Sequence, residues 1–286
     1  MIYRAETFLE QPHKAVTLMG MSGVGKTTLA SILGESGWFH YSADYRIGAE
    51  YLDGPVIENI RAQAMAVPFV RDLLESGTIR FQNNVTIDNL KPVSTFLGMI
   101  GNPESGGMPE GEFRRRQELY KQAEIRSMFD VPSFIEKARD QYGQPHFLCD
   151  STGSLCELDN RDVLEALSAH TLILYLKASE KDEKELFERA LAYPKPLFYP
   201  EAFFRPALKA FMAEEGLEYV ALIEPDDFYR KIFPKLFYAR LPKYQAIADE
   251  YGCTVTTEAL RGIKSESDFL GVITEALRQK QKEEAR

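Results

Sequence analysis

The sequence has no long apolar run. No stretch of about 18 consecutive apolar residues occurs anywhere in its 286 residues, so no membrane-spanning helix is expected. Cysteine is scarce. Cys149, Cys156 and Cys253 are an odd number at no metal-like spacing, which reads as free thiols in a reducing compartment and excludes a disulfide framework. The four histidines are scattered, and none pairs with a Glu or Cys at ligand spacing, so a zinc site is not expected. Basic residues are also in deficit: 34 Lys and Arg against 43 Asp and Glu leave a net charge of −9. A chain that acidic is a poor candidate for non-specific nucleic-acid binding, although a local basic patch is compatible with it. The opening stretch, "MIYRAETFLEQPHK", lacks an apolar core between a basic start and a small-residue cleavage site. It does not read as a secretory signal, and a cytoplasmic location is expected.

What remains is ordinary globular material, 44% hydrophobic and 27% charged, of a length that suits one large α/β domain or one domain with an insertion. "KAVTLM" (14–19) is short, apolar and β-prone. "TTLASILGES", from Thr27, carries apolar residues at helical spacing and ends near Gly37. "WFHYSAD" (38–44) reads as a second strand ending at Asp44, "HFLCD" (146–150) as a third, and "TLILYLKAS" (171–179) as the clearest of all. Their apolar faces and the helical patterns between them predict a buried parallel sheet with helices on both sides. Roughly a hundred residues separate Asp44 from His146, far more than a simple crossover needs. They contain helix-like segments at 56–76 and 110–128, with a Gly/Pro-rich stretch, "GMIGNPESGGMPEG" (98–111), that reads as a mobile loop. Residues 50–145 are therefore expected to form an inserted, mainly helical subdomain that serves substrate or lid. Residues 1–49 and 146–286 are expected to form the core.

The most specific motif is "GMSGVGKTT" (20–28), which fits G-x-x-x-x-G-K-[ST] through Gly20, Gly25, Lys26 and Thr27. Its glycines let the backbone curl so that successive N–H groups point at a phosphate, and the following helix offers its positive end to the same anion. Gly20, Ser22, Gly23, Val24, Gly25, Lys26, Thr27 and Thr28 are the expected nucleotide-binding residues. Lys26 is expected on the β- and γ-phosphates and Thr27 on Mg²⁺. This implies a P-loop NTPase core of three layers, α/β/α, with ATP and Mg²⁺ as cofactors. It says little about the reaction.

Several stretches, in order along the chain, resemble the shikimate kinase family of P-loop small-molecule kinases. After the loop, "YSADYRIG" (41–48) is similar to the family's acidic D-x-D motif. "DSTGSLCELDNRDVLEALSAHTLILYLKAS" (150–179) is similar to its glycine-rich turn, helix and strand. "RALAYPKPLF" (189–198) looks like its lid, and "RLPKYQAIAD" (240–249) like its R-x-P-x-Y…A-D segment. The likeness covers roughly 14–49 and 146–280, and omits 50–145 and much of 200–235. It implies that Asp44 binds the acceptor hydroxyl and takes its proton. It implies that Gly153 meets substrate through its backbone, that Arg189 and Lys195 clamp nucleotide phosphates, and that Arg240 binds the acceptor. Ser42 stands where the family has its first acid, which helps hold Mg²⁺ through water. Asp150, ending its own strand, is the candidate replacement as a metal residue beside Thr27. Lys195 stands for an arginine, keeping charge but losing the planar fork.

The same residues have plainer readings. Asp44 or Asp150 could cap a helix. Arg189 could lie on a solvated face among the charges of "EKDEKELFERA". Arg240 could be an exposed residue paired with an acid. The arginines of "FRRRQELYKQAEIR" (113–126) read as an anion patch or as a solvated helix, and "LFYPEAFFRPALKAF" (197–211) as a substrate wall or as core. The expected function is ATP-dependent phosphorylation of a hydroxyl on a small metabolite. The long segment in place of the family's short substrate helices argues against shikimate itself; a nucleoside, a sugar acid or an RNA end all remain open. The alternative is a P-loop ATPase or nucleotide-sensing switch with no small acceptor.

Overall fold

The computed structural model describes residues 4–285. Met1, Ile2 and Tyr3 of the opening stretch, and Arg286 at the end of the tail, lie outside the described residues. Along the chain, helix α1 (Ala5–Glu10) precedes strand β1 (Ala15–Met19), the loop at Gly20, helix α2 (Lys26–Gly34) and strand β2 (Trp38–Ser42). A helical stretch follows: α3 (Ala43–Arg46), α4 (Asp53–Ala64), α5 (Pro68–Glu75), α6 (Lys91–Leu97), α7 (Glu110–Phe129) and α8 (Val131–Asp140). Next come β3 (His146–Asp150), α9 (Arg161–His170), β4 (Leu172–Lys177), α10 (Glu180–Ala192), α11 (Glu201–Glu215), the long α12 (Pro225–Tyr251), β5 (Gly252–Thr256), α13 (Thr257–Leu260) and α14 (Glu266–Glu284).

The five strands are all parallel, in the order β2-β3-β1-β4-β5. The step from β1 to β2 runs one way along the sheet, and the later steps run the other way. Right-handed crossovers therefore place α2 on one face and α8, α9 and α12 on the opposite face. Contacts of α8 with α9 and of α9 with α12 agree, as does the packing of α14 against α1 and β5. The result is a three-layer P-loop α/β fold. The strands read as continuous apolar runs because both faces are covered: Leu18, Ile173, Leu174 and Leu176 are fully buried. Beside this main core lies an aromatic cluster, with Phe113, Tyr199, Phe204, Phe211 and Phe228, between α7, α11 and α12. No helix among the described residues is long and apolar enough to cross a membrane.

Several expected boundaries move. The second strand stops at Ser42, not Asp44, because the Ser42 hydroxyl accepts the Tyr45 N–H at 3.3 Å and caps α3. Asp44 thus lies in the first turn of a helix and does not cap it. Helix α2, expected to end near Gly37, stops at Gly34. The helical pattern over 56–76 is two helices, broken before Pro68, which has no N–H to donate and bars its neighbour Val67 from the helical region. The 98–111 stretch is pinned. Gly101 N–H donates to Met108 O at 3.0 Å, Met108 N–H to Met99 O at 2.9 Å, and Asn102 N–H to Ile223 O at 2.7 Å.

Candidate active site

The carboxyl ends of β1, β2 and β3 meet at one edge of the sheet, which is where open α/β sheets bind ligands. The phosphate loop leaves β1 there. Gly23 has a φ of +90°, a backbone conformation that favours glycine, and a Cβ on it would displace the Arg189 guanidinium, whose Nη2 would stand 2.3 Å away. Lys26, buried by its own loop, donates to Gly20 O at 2.9 Å and Met21 O at 3.1 Å. Loss of water lowers its affinity for a proton, and the Asp150 and Asp44 carboxylates oppose that shift.

Asp150 ends β3 in register with Leu18 and Ser42. Its Oδ2 accepts the Thr27 hydroxyl at 2.7 Å, and His40 Nε2 lies 3.7 Å from the same oxygen. Asp150 caps no helix. Ser154 precedes the short turn at 155–157 without a capping bond, and Asn160 caps α9.

Asp44 is half-buried: protein atoms surround its carboxyl, yet it reaches a cavity surface. Its pKa is pushed up to about 6, first by loss of water and then by Asp150, against the pull of Lys26 and Lys195. The cavity, about 260 Å³, also takes Ser22 from the phosphate loop, Gly153, Lys195 and Arg240. Five sequence-predicted residues therefore line one cavity. The Lys195 ammonium lies 3.4 Å from Ser22 Oγ, and its pKa is lowered by desolvation and by its neighbour Arg189. Arg189 is exposed on one side, as a solvated helix face would be, but its other side covers Gly23. It also lines a second cavity of about 320 Å³ between α2, α10 and α13, with Ile32, Leu186 and Leu260 as apolar walls. That slot suits a nucleotide base beside the phosphate loop.

Arg240 is not an exposed residue. It is 6% exposed, donates to Phe198 O at 2.9 Å and faces Glu157 at 3.4 Å. Gly153, one residue from the loop's hydrogen-bonded Thr152, accepts the Tyr244 hydroxyl and abuts Ser22 N. The three arginines of α7 are all engaged. Arg114 pairs with Glu201, Arg115 with Glu112, and Arg116 with Glu112 and Phe96 O, so no open anion patch exists there. In the 197–211 run, Phe204, Leu208 and Phe211 are core, while Leu197 and Phe198 line the cavity beside Asp44.

Glu124, in the middle of α7, was not anticipated. It is fully buried, and its two oxygens accept the hydroxyls of Thr152 and Ser154, the latter at 2.7 Å. Burial pushes its pKa up to about 7, and nearby Asp44 adds to this, while the two hydroxyls and Arg240 pull it back. The available signal was spacing: Phe113, Gln117, Tyr120, Glu124 and Ser127 recur every three or four residues, on the buried stripe of α7.

No family model matches this chain, and no curated protein does. Among solved structures, it is similar to the shikimate kinase of Bacteroides thetaiotaomicron, at 15% identity and a TM-score of 0.38, over 96% of this chain and 99% of that one. It is also similar to the shikimate kinase of Acinetobacter baumannii in complex with shikimate, at 15% identity and a TM-score of 0.38, over 99% of both chains. The expectation of nucleotide binding rests on this chain's own loop motif.

Proposed function

We propose that this protein is an ATP-dependent kinase that phosphorylates a hydroxyl of a small metabolite. The supporting observation is the place of Asp44: a carboxylate on the wall of a small cavity whose other walls include Ser22 of the phosphate loop and Lys195. Phosphoryl transfer needs a positioned hydroxyl, in-line approach and cations on the transferring oxygens. In this reading Asp44 accepts the acceptor's proton. The freed oxygen bonds to the γ-phosphorus as the bond to the β–γ bridging oxygen breaks, and its electron pair leaves on ADP. Lys26 holds the β- and γ-phosphates, and Arg189 and Lys195 cover them from α10 and the segment after it, excluding water.

Mg²⁺, when bound, would supply positive charge across the phosphate oxygens. The chemistry of the donor set fits it: a threonine hydroxyl and a carboxylate stand 2.7 Å apart beside the loop. Among the described residues no three His, Cys, Asp or Glu side chains converge elsewhere as a metal cluster, and Mg²⁺ characteristically completes its shell with phosphates and water. Thr27 and Asp150 would hold it. Residues 50–145 we take as the inserted subdomain that supplies the acceptor wall through α6 and α7.

The ATPase or switch reading is favoured by one observation: Ser42, in place of an acid, spends its hydroxyl on capping α3. Measuring ADP release with and without a panel of small alcohols separates the two. Asp44→Asn should slow acceptor-stimulated release about 10²- to 10⁴-fold while leaving ATP affinity and background hydrolysis nearly intact. If no compound stimulates the wild type, and Asp44→Asn changes nothing, the kinase reading gives way to the switch.

A further inference from the structure

The acceptor cavity has two unlike walls. One is apolar, formed by Leu90, Val93, Leu97, Pro196, Leu197 and Phe198. The other carries Asp44, Ser154 and Arg240, with Glu124 bonded to the back of Ser154. Recognition of a carboxylate or phosphate on the acceptor would call for a guanidinium free to make a bidentate pair. None is free here. Arg240 faces Glu157 and donates to Phe198 O. Arg116, behind α6, is held by Glu112 and by Phe96 O. Arg46, on α3 beside Asp44, is held by Asp130 at 2.7 Å and by Glu50 at 3.1 Å.

The lysines do not fill the gap. Lys195 leans to Ser22 on the phosphate side, where Arg189 also sits. Lys243 pairs with the second oxygen of Glu157 from the half-exposed far side and does not line this cavity. Asp44 faces the cavity and Glu124 lies sealed behind Thr152 and Ser154, and both carboxyls contribute negative charge or none. An anionic acceptor would meet them with no cation released to compensate, and a buried charge without a partner is strongly disfavoured.

Resting on the kinase reading, we infer that the acceptor is an uncharged alcohol with an apolar flank. Its hydroxyl meets Asp44, and its carbon skeleton lies against the wall from α6 and Phe198. The volume of about 260 Å³ is at the small end for ligand cavities, so the reacting part of the molecule is compact. Carboxylate acceptors are disfavoured because Arg240, the guanidinium on this cavity, is ion-paired to Glu157 at 3.4 Å and donates to Phe198 O.

The test is an ADP-release assay on the full-length protein with Mg²⁺ and ATP. The probes are matched pairs of hydroxy acids and their methyl esters, from shikimate and methyl shikimate to mandelate and methyl mandelate, together with amino alcohols. The expected result is that esters stimulate at least ten times better in kcat/KM than their parent acids. An acid turned over as well as its ester, or an amino alcohol preferred over every ester, overturns this inference and leaves the kinase standing. If nothing in the panel stimulates, the kinase reading falls and this inference falls with it. Glu157→Gln releases Arg240 and should shrink the ester preference toward parity. Glu124→Gln keeps two hydrogen-bonding atoms for Thr152 and Ser154, removes a carboxyl, and should shrink it too. A preference unchanged in whichever of the two variants folds overturns the assignment to these carboxyls.

Discussion

Asp44 and Glu124 are two carboxyl groups in one neighbourhood with different tasks. Asp44 reaches the cavity; loss of water and Asp150 push its pKa up to about 6 against the pull of Lys26 and Lys195, so it is ionised at neutral pH. Glu124 is sealed behind Thr152 and Ser154 and titrates near 7. Its ordinary value is 4.5, so between pH 4.5 and about 7 the unfolded chain releases a proton that the folded chain keeps. The folded state then binds more protons, and stability falls as pH rises through that window. Thermal melts between pH 4.5 and 7.5 should show this decline, and Glu124→Gln should reduce it, leaving the smaller part that Asp44 contributes up to about pH 6. A wild-type melting temperature that climbs steadily across the window would contradict the burial argument. Lys26 gives a second expectation at this scale. Lys26→Ala should abolish transfer and weaken ATP binding, since it removes the main cation on the β- and γ-phosphates. Lys26 is buried, yet it is a desolvated charge paired only with carbonyls, so its loss should move Tm by less than about 4 °C.

Helix α7 shows what an element adds beyond its residues. Its outward face is laced with ion pairs, while its inward stripe runs from Phe113 in the aromatic cluster to Glu124 at the site and Ser127, whose carbonyl accepts the Tyr41 hydroxyl at 2.6 Å. One helix thus links the aromatic cluster, the cavity beside Asp44 and the sheet. The cluster is anchored by Phe204 of α11, 2% exposed, whose ring lies 5.1 Å from Phe113 and 6.2 Å from Phe228. Phe204→Ala should cost about 3–5 kcal/mol, measured by denaturant unfolding. Because Phe198 and Leu197 enter the cavity from the segment just before α11, the same variant should raise KM for the acceptor more than for ATP. An equal rise in both would place the effect in global loosening.

For the molecule as a whole, the cavity proposed to hold the nucleotide draws on α2, α10 and α13, three elements far apart in the chain. A ligand that binds only when they are assembled stabilises the fold by mass action. ADP with Mg²⁺ at 100 times its Kd should add about 2.7 kcal/mol, seen as a rise in Tm that vanishes in Lys26→Ala. The phosphate loop and three of the strands were legible in the sequence because they depend on local spacing: a turn, a helix end, an apolar run. The stopping point of β2 was not, since one hydroxyl of Ser42 decides between strand and helix. Nor was the break at Pro68 foreseen, or the pinning of 98–111 by Ile223, a contact across more than a hundred residues. Charge at the site was least legible of all. Sequence alone established that Arg240, Arg114, Arg115 and Arg116 are cations; only the tertiary structure decided that each already has a carboxylate, and that Glu124 has none of them. Electrostatic pairing depends on distance in space and on exclusion of water, and neither is carried by position along the chain.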